Sequence, residues 1–174
     1  MEERIEWSER TDLLQQALTG GGVFLVANSS DGRANPMTIG WAQVGIVWSR
    51  PVLTVLVRKS RYTFACLRTS DTFTVSVPRA GEFKDELLFC GTKSGRDVDK
   101  VAASGLILSP GRVVDTPTID GCVLYYEARI LARTQQESTD FSARDVLDQH
   151  YTDGDHHLVV FGEIVAAYTK GSTV

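Results

Sequence analysis

Apolar residues fall along this chain in short runs broken by turn residues, and few segments repeat at helical spacing. The first that does is Ser8 to Leu18, where Leu14, Ala17 and Leu18 share a helical face. Thr19-Gly20-Gly21-Gly22 predicts its stop. Val23-Phe24-Leu25-Val26-Ala27 is a continuous apolar run of strand formers, and Asn28-Ser29-Ser30-Asp31-Gly32 supplies turn chemistry after it. Together they read as one arm and the bend of a hairpin whose return strand begins near Met37. Val52 to Val57 is a further strand, and Tyr62 to Leu67 a helix with Ser60 as candidate N-cap. Phe73, Val75 and Val77 alternate with Thr72, Thr74 and Ser76, the pattern of a strand with one wet face. Helices are expected over about Phe83–Phe89 and Val98–Ala103, the second ending at Gly105. Long strands are expected over Cys122–Ala132 and Leu158–Tyr168. Between them Thr134–Asp155 is polar and weakly patterned, with a helix at Ala143–Gln149.

Strands dominate without regular βαβ alternation, which argues against a Rossmann sheet and for a closed barrel or sandwich with added helices. No internal repeat or composition break divides the 174 residues, so one domain over residues 1–174 is the simplest reading. Hydrophobic residues at 43% and charged residues at 23% are globular proportions. The net charge of −4 argues against general attraction to nucleic acid, so an anion site must be a local basic cluster. No apolar run reaches the ~18 residues of a membrane helix. The N-terminus, Met1-Glu2-Glu3-Arg4-Ile5-Glu6, is charged and acidic, unlike a secretory signal. Cys66, Cys90 and Cys122 are far apart and odd in number, which suits buried thiols in a reducing cytoplasm rather than a disulfide framework or zinc ribbon.

Four segments carry candidate chemistry. Cys90-Gly91-Thr92-Lys93-Ser94-Gly95-Arg96-Asp97-Val98-Asp99-Lys100-Val101 is a hydroxyl-rich loop between glycines, entering a helix. Its backbone N–H groups, the helix dipole and Lys93, Arg96 and Lys100 suit an anion, although its spacing is not that of a Walker loop. The plainer alternative is a solvated charge run. Arg58-Lys59-Ser60-Arg61-Tyr62-Thr63 sets three cations and two hydroxyls at a helix mouth, again favouring phosphate; a strand end holding its charges in water is the alternative. Asn35-Pro36-Met37-Thr38-Ile39-Gly40-Trp41 either lines one edge of a planar ligand or is a turn and a strand with a core Trp. In Asp153-Gly154-Asp155-His156-His157 the adjacent histidines point to opposite sides of an extended chain, so they do not grip one metal; one histidine at a pocket edge is the better reading. No Gly-x-Ser-x-Gly elbow is present, and Cys90 has no evident partner that would mark it as a nucleophile.

In order, these segments resemble the flavin reductase-like, FMN-binding split-barrel family, and more closely its flavoredoxin-type branch. The resemblance runs from about Gly22 to Tyr168. It is carried by Asn35-Pro36-Met37-Thr38, by Arg58 to Thr63 with Phe73-Thr74-Val75 beyond, and by Cys90 to Lys100. The Ser-Gly-Arg-Asp-x-Asp-Lys run is its most specific part; His157, five residues before Gly162, completes it. The resemblance implies a mostly β fold with added helices, a six-stranded Greek-key split β-barrel that forms a homodimer with flavin near the interface. It places Asn35, Met37, Thr38 and Trp41 along the isoalloxazine and ribityl chain, and Arg58, Ser60, Tyr62 and Thr63 at the phosphate. Ser94, Gly95 and Lys100 would close over the cofactor, with His157 near the ring; Asp97 and Asp99 either cap a helix or brace the loop. The implied cofactor is FMN, with FAD as the alternative, and NAD(P)H is the implied co-substrate. The implied activity is FMN-dependent NAD(P)H:flavin oxidoreduction, with electrons passed to a redox partner protein or an oxygenase. The alternatives are an FMN-binding electron carrier without its own nicotinamide site, and a structural dimer that has lost flavin. The Thr134–Asp155 insert follows no family pattern and is either a lid or a dimer contact.

Overall fold

In the computed structural model, residues 2–171 are described; Met1 of the acidic N-terminus and residues 172–174 lie outside them. Strand β1 (Glu2–Arg4) precedes α1 (Thr11–Gly20), β2 (Val23–Asn28), β3 (Ala34–Ile39), β4 (Ala42–Val47) and β5 (Arg50–Arg58). Helix α2 (Tyr62–Thr69) and strand β6 (Thr72–Val77) follow, then α3 (Lys84–Thr92), α4 (Lys100–Ser104) and the small hairpin β7 (Leu108–Ser109) and β8 (Thr118–Ile119). After these come β9 (Leu124–Gln135), a 3-10 turn at Ser138–Asp140, α5 (Arg144–His150) and β10 (His157–Lys170).

All strands but β7 and β8 form one sheet in the order β3-β2-β6-β9-β10-β5-β4, with β1 on the far half of β10. The eight strands exceed the six expected because the short β1 adds one and the β3–β4 run is divided. The two outer strands, β3 and β4, are consecutive in the chain and joined through Gly40 and Trp41 alone. The sheet therefore curls until its edges meet at a bend of covalent chain. Among the described residues no ladder closes it. This is the split form of a barrel rather than the closed one.

The curl explains the continuous apolar run in β2, because both of its faces are covered. Val23, Leu25 and Ala27 join Leu53, Val55, Phe73, Val75 and Tyr126 inside the barrel. Phe24 and Val26 face outward into a second cluster with Leu87 and Cys90 of α3 and with Ile119 and Tyr125. A strand buried on both faces loses its alternation and reads as an unbroken apolar run.

Two expectations about strands need correction. The return strand begins at Ala34, ahead of Met37, with Ala34 opposite Asn28. The face of β6 expected to be wet is covered: Thr74 and Ser76 are fully buried. The Thr74 hydroxyl donates to Pro117 O at 2.6 Å, and Ser76 Oγ accepts from Ile119 N at 3.0 Å. The β7–β8 hairpin lies over this face and matches each hydroxyl with a backbone group, which removes the cost of burying it. A fully buried carboxylate anchors the same region: Glu127 accepts from the backbone N–H of Arg112, Val113 and Val114 and from the Tyr168 hydroxyl.

Candidate functional site

The bend at Gly40–Trp41, the C-terminal end of β5, the first turn of α2 and the start of β10 come together at one end of the barrel. Antiparallel register sets His157 opposite Arg58 there. The loop from Lys93 to Asp99, between α3 and α4, forms the far wall. Two adjoining hollows result. One, of about 250 Å³, is lined by Ser60, Arg61, Tyr62, Thr63, Lys93, Ser94, Arg96, Asp97 and Lys100. The other, of about 200 Å³, is lined by Thr38, Ile39, Gly40, Trp41, Leu56, Arg58 and His157. Met37 and Arg61 border both, so the hollows form one groove with a hydroxyl- and cation-rich end and an end where Trp41, Ile39 and Leu56 stand beside His157 and Arg58.

The sequence-predicted residues form the frame as well as the lining. Asn35 is buried, and its Nδ2 donates to Thr63 Oγ1 at 2.8 Å, tying β3 to α2. Gly95 packs onto this pair: a Cβ there would fall on Asn35 Oδ1 and lie 2.8 Å from Tyr62 Cδ1, so only glycine lets the loop approach. The Thr38 hydroxyl donates to Leu87 O at 2.6 Å and holds β3 to α3. The Arg96 guanidinium lies 5.4 Å from the centre of the Tyr62 ring and donates to Ser60 O, closing the loop over the mouth of α2. Ser94 Oγ accepts from Arg96 N, which shapes the turn that carries the loop.

The cations have distinct tasks. Lys100 is buried, and its Nζ donates to Pro36 O at 3.0 Å and Cys90 O at 2.9 Å. An ammonium has three donors, so one remains for the groove. Burial holds the Lys100 ammonium below the ordinary lysine range. Arg58 lines the groove, but its guanidinium donates to His150 O and Asp155 O and lies 3.7 Å from Asp153. The cation expected at a phosphate thus clasps the segment between α5 and β10. Ser60 behaves likewise. It is not the N-cap of α2, a position held by Arg61 without a side-chain cap; its N and Oγ both donate to the Asp155 carboxylate.

The helix-dipole expectation also divides. α4 has only five residues, and the Asp99 carboxylate accepts from Val101 N and Ala102 N. Its N-terminus is already capped and offers little to an anion. The first turn of α2 has no such side-chain acceptor from its N-cap. Of the cations, Arg61, Lys93 and Arg96 line the hydroxyl-rich hollow and are exposed. The sequence signal for these three was the basic runs themselves.

His157 is buried beside Trp41, with ring centroids 5.0 Å apart. Its Nδ1 lies 2.7 Å from the Tyr151 hydroxyl. Burial, reinforced by the Arg58 guanidinium, lowers its pKa from 6.5 to about 4, so the ring is neutral near pH 7. Tyr151 was not anticipated. It sits in the polar insert, stacks on His156 and lies beneath the Arg58 guanidinium. The insert thereby packs against His157, Trp41 and Arg58 at this end of the barrel.

The three cysteines are free and buried, and burial raises each thiol, Cys90 to about 11. Among the described residues, no group of three or more His, Cys, Asp or Glu could hold a metal ion, and no helix is long and apolar enough to cross a membrane. A larger cavity of about 460 Å³ lies between the end of α1, the loop at residues 78–84 and α3. Its walls are mainly glycine, alanine and leucine, and of the candidate segments it touches Thr38, Gly91 and Thr92.

Residues 17–173 match the family described as the flavin reductase like domain. An uncharacterized protein of Archaeoglobus fulgidus is 29% identical over 123 residues, 71% of this chain and 67% of its own. Among solved structures, the chain is similar to flavoredoxin of Desulfovibrio vulgaris (Miyazaki F), with 23% identity and a TM-score of 0.67 over 89% of this chain and 72% of that one. It is also similar to flavoredoxin from Methanosarcina acetivorans, with 28% identity and a TM-score of 0.66 over 88% of this chain and 70% of that one. With its split barrel and with most of its length matched in order, the chain belongs to the flavin reductase-like family.

Proposed function

We propose that the groove binds FMN and that the protein is an FMN-dependent NAD(P)H:flavin oxidoreductase. The observation that carries this reading is the two-ended groove: a hollow that sets Trp41, Met37, Ile39 and Leu56 beside His157 and Arg58 is continuous, through Met37 and Arg61, with one lined by hydroxyls and cations. FMN has matching two-ended chemistry, a planar ring with an apolar dimethylbenzene side and a polar pyrimidine side at one end and a phosphate dianion at the other. The glycine at position 95, where a side chain would strike Asn35 and Tyr62, lets the loop pack tightly against the residues that wall the hydroxyl-rich end.

In this reading Arg61, Arg96, Lys93 and the Ser94 hydroxyl meet the phosphate, with the third donor of Lys100 available, while Ser60 lines the same hollow with its hydroxyl held by Asp155. Asn35, Thr63 and Tyr62 hold the wall against which the cofactor lies. Met37, Thr38, Trp41 and His157 border the ring, and Arg58 holds the insert over that end. Bound FMN supplies the redox chemistry, accepting hydride and passing electrons onward, so no protein acid or base is needed for the hydride step. The protein's part is to anchor charge, exclude water and offer a fixed N–H donor beside the ring. Anaerobic stopped-flow mixing of FMN-loaded protein with NADH and with NADPH tests the activity. Bleaching of flavin absorbance with either supports it, and no bleaching with both overturns it.

Similarity to two flavoredoxins favours a second reading, an FMN-binding electron carrier reduced by a partner protein. Bound flavin that no nicotinamide bleaches, but that a redox partner reduces, is its signature. Either reading includes a homodimer with flavin near the interface. β4 is an outer strand, and its tight turn to β5 exposes Ile46 at 60% and Trp48 at 61%. Trp48 and Ser49 both adopt positive φ there, a strained way to hold an indole in water. Sedimentation equilibrium returning a 19.1 kDa species overturns the dimer.

A further inference from the structure

His157 has two ring nitrogens, and the surroundings of each differ. Nδ1 faces the Tyr151 hydroxyl at 2.7 Å. Nε2 has no hydrogen-bond partner among the described residues and is not a buried orphan, so it opens on the hollow that His157 lines with Trp41, Met37 and Leu56. The question is which nitrogen carries the hydrogen. A separation of 2.7 Å is ordinary for an O–H donor and short for N–H donating to oxygen, which centres near 2.9 Å. The other acceptor in reach of the Tyr151 hydroxyl, Gln136 Oε1, is 3.5 Å away, too far to compete for its proton.

We propose that Tyr151 is a positioning residue: its hydroxyl donates to His157 Nδ1, fixes the neutral tautomer with hydrogen on Nε2, and presents that N–H as a donor to the ligand ring. The proposal rests on the reading of this hollow as the ring end of the flavin site. The pair is held from several sides. Arg58 lies 5.3 Å from the centre of the Tyr151 ring while its donors clasp His150 O and Asp155 O, which fixes both ends of the Tyr151 segment. His156 stacks on Tyr151 itself, with ring centroids 5.0 Å apart and planes at 16°. The charged and titratable groups facing His157 are Arg58 from β5, His150 from α5, and Asp155 and His156 from the connecting segment. Arg58 and the two other histidines disfavour a second proton on His157, and only Asp155 favours one. A donor that is neutral can stabilise negative charge growing on a bound ring without surrendering a proton to it, so its strength does not vary with pH across the neutral range. Fixing the tautomer in advance also removes the chance that a lone pair, rather than a hydrogen, meets the ligand.

The test is nitrogen-15 correlation NMR of histidine-labelled protein without cofactor, followed by titration of FMN and of riboflavin. Wild type is expected to show His157 as the Nε2–H tautomer from pH 7 down to 5.5. Tyr151→Phe is expected to fold, to lose that single tautomer and to titrate nearer the ordinary histidine range. Its affinity should fall about three- to tenfold for FMN and equally for riboflavin, as expected for one neutral hydrogen bond at the ring end. An Nδ1–H tautomer in the wild type overturns the proposal whether or not the variant folds, and so does a Tyr151→Phe spectrum identical to the wild type. A wild-type protein with the expected tautomer that binds neither flavin overturns the flavin reading instead.

Discussion

Gly95→Ala is the substitution whose cost can be worked most directly from the structure. Its added methyl would overlap Asn35 Oδ1 and lie 2.8 Å from Tyr62 Cδ1. Asn35 is only 4% exposed and already donates to the buried Thr63 hydroxyl, so it has nowhere to retreat without breaking that bond. Overpacking a fixed site costs about 1–3 kcal/mol, and leaving a buried polar group unpaired about 1–3 kcal/mol more. Relief by loop movement removes part of each, so a loss of about 2–4 kcal/mol is expected in urea unfolding monitored by tryptophan fluorescence. Gly95 has no positive φ, so the effect is one of contact rather than backbone strain. A double-mutant cycle separates the two. Asn35→Ala with Gly95→Ala should cost less than the sum of the single changes, by about 1 kcal/mol or more, because the first removes the atom that the second strikes. Additive costs, or a Gly95→Ala protein within about 0.5 kcal/mol of wild type, would refute the tight approach of this loop to β3.

Arg61→Ala, which removes a cation bordering both hollows, is expected to weaken FMN by about 10–100-fold and riboflavin by much less, measured by flavin fluorescence titration. Arg58→Ala should instead weaken both ligands alike, because its donors hold the insert. Glu127→Gln replaces one of two carboxylate oxygens that together accept from three backbone N–H groups, and a loss of about 2–4 kcal/mol is expected in urea unfolding with little effect on FMN affinity. Because the folded pKa of His157, about 4, lies below the ordinary 6.5, the unfolded chain takes up this proton first as pH falls. The stability it confers is whole above pH 6.5 and is lost as pH drops toward 4, so His157→Gln should show a shallower loss between pH 7 and 5 than wild type; equal slopes would contradict the buried neutral ring.

Much of the barrel was legible because its strands are local apolar runs. β2 and β5 declared themselves through residues buried on one or both faces. β6 was half misread, since Thr74 and Ser76 look wet in sequence and are satisfied only by Pro117 and Ile119, more than forty positions away. The same limit governs the site. The basic loops stood out because their cations are consecutive, and Asn35, Thr63 and Gly95 were found because the motif order named them. Arg58 was given to phosphate because its true partners are carbonyls of residues 150 and 155, which no local pattern connects to it. Tyr151 was invisible as one aromatic residue in a polar insert. Gly162 carried weak information by spacing alone, yet has a plain physical reason: a Cβ there would lie 2.6 Å from Phe73 Cζ and 2.9 Å from Ala128 Cβ, at a register shift in β10.

Titration of the purified protein with FMN, followed by its visible spectrum and by quenching of flavin fluorescence, tests most directly whether the groove is a flavin site. The expected result is saturable binding with a perturbed, yellow flavin spectrum, weakened by Arg61→Ala more for FMN than for riboflavin. A colourless protein that takes up neither FMN nor FAD would contradict it.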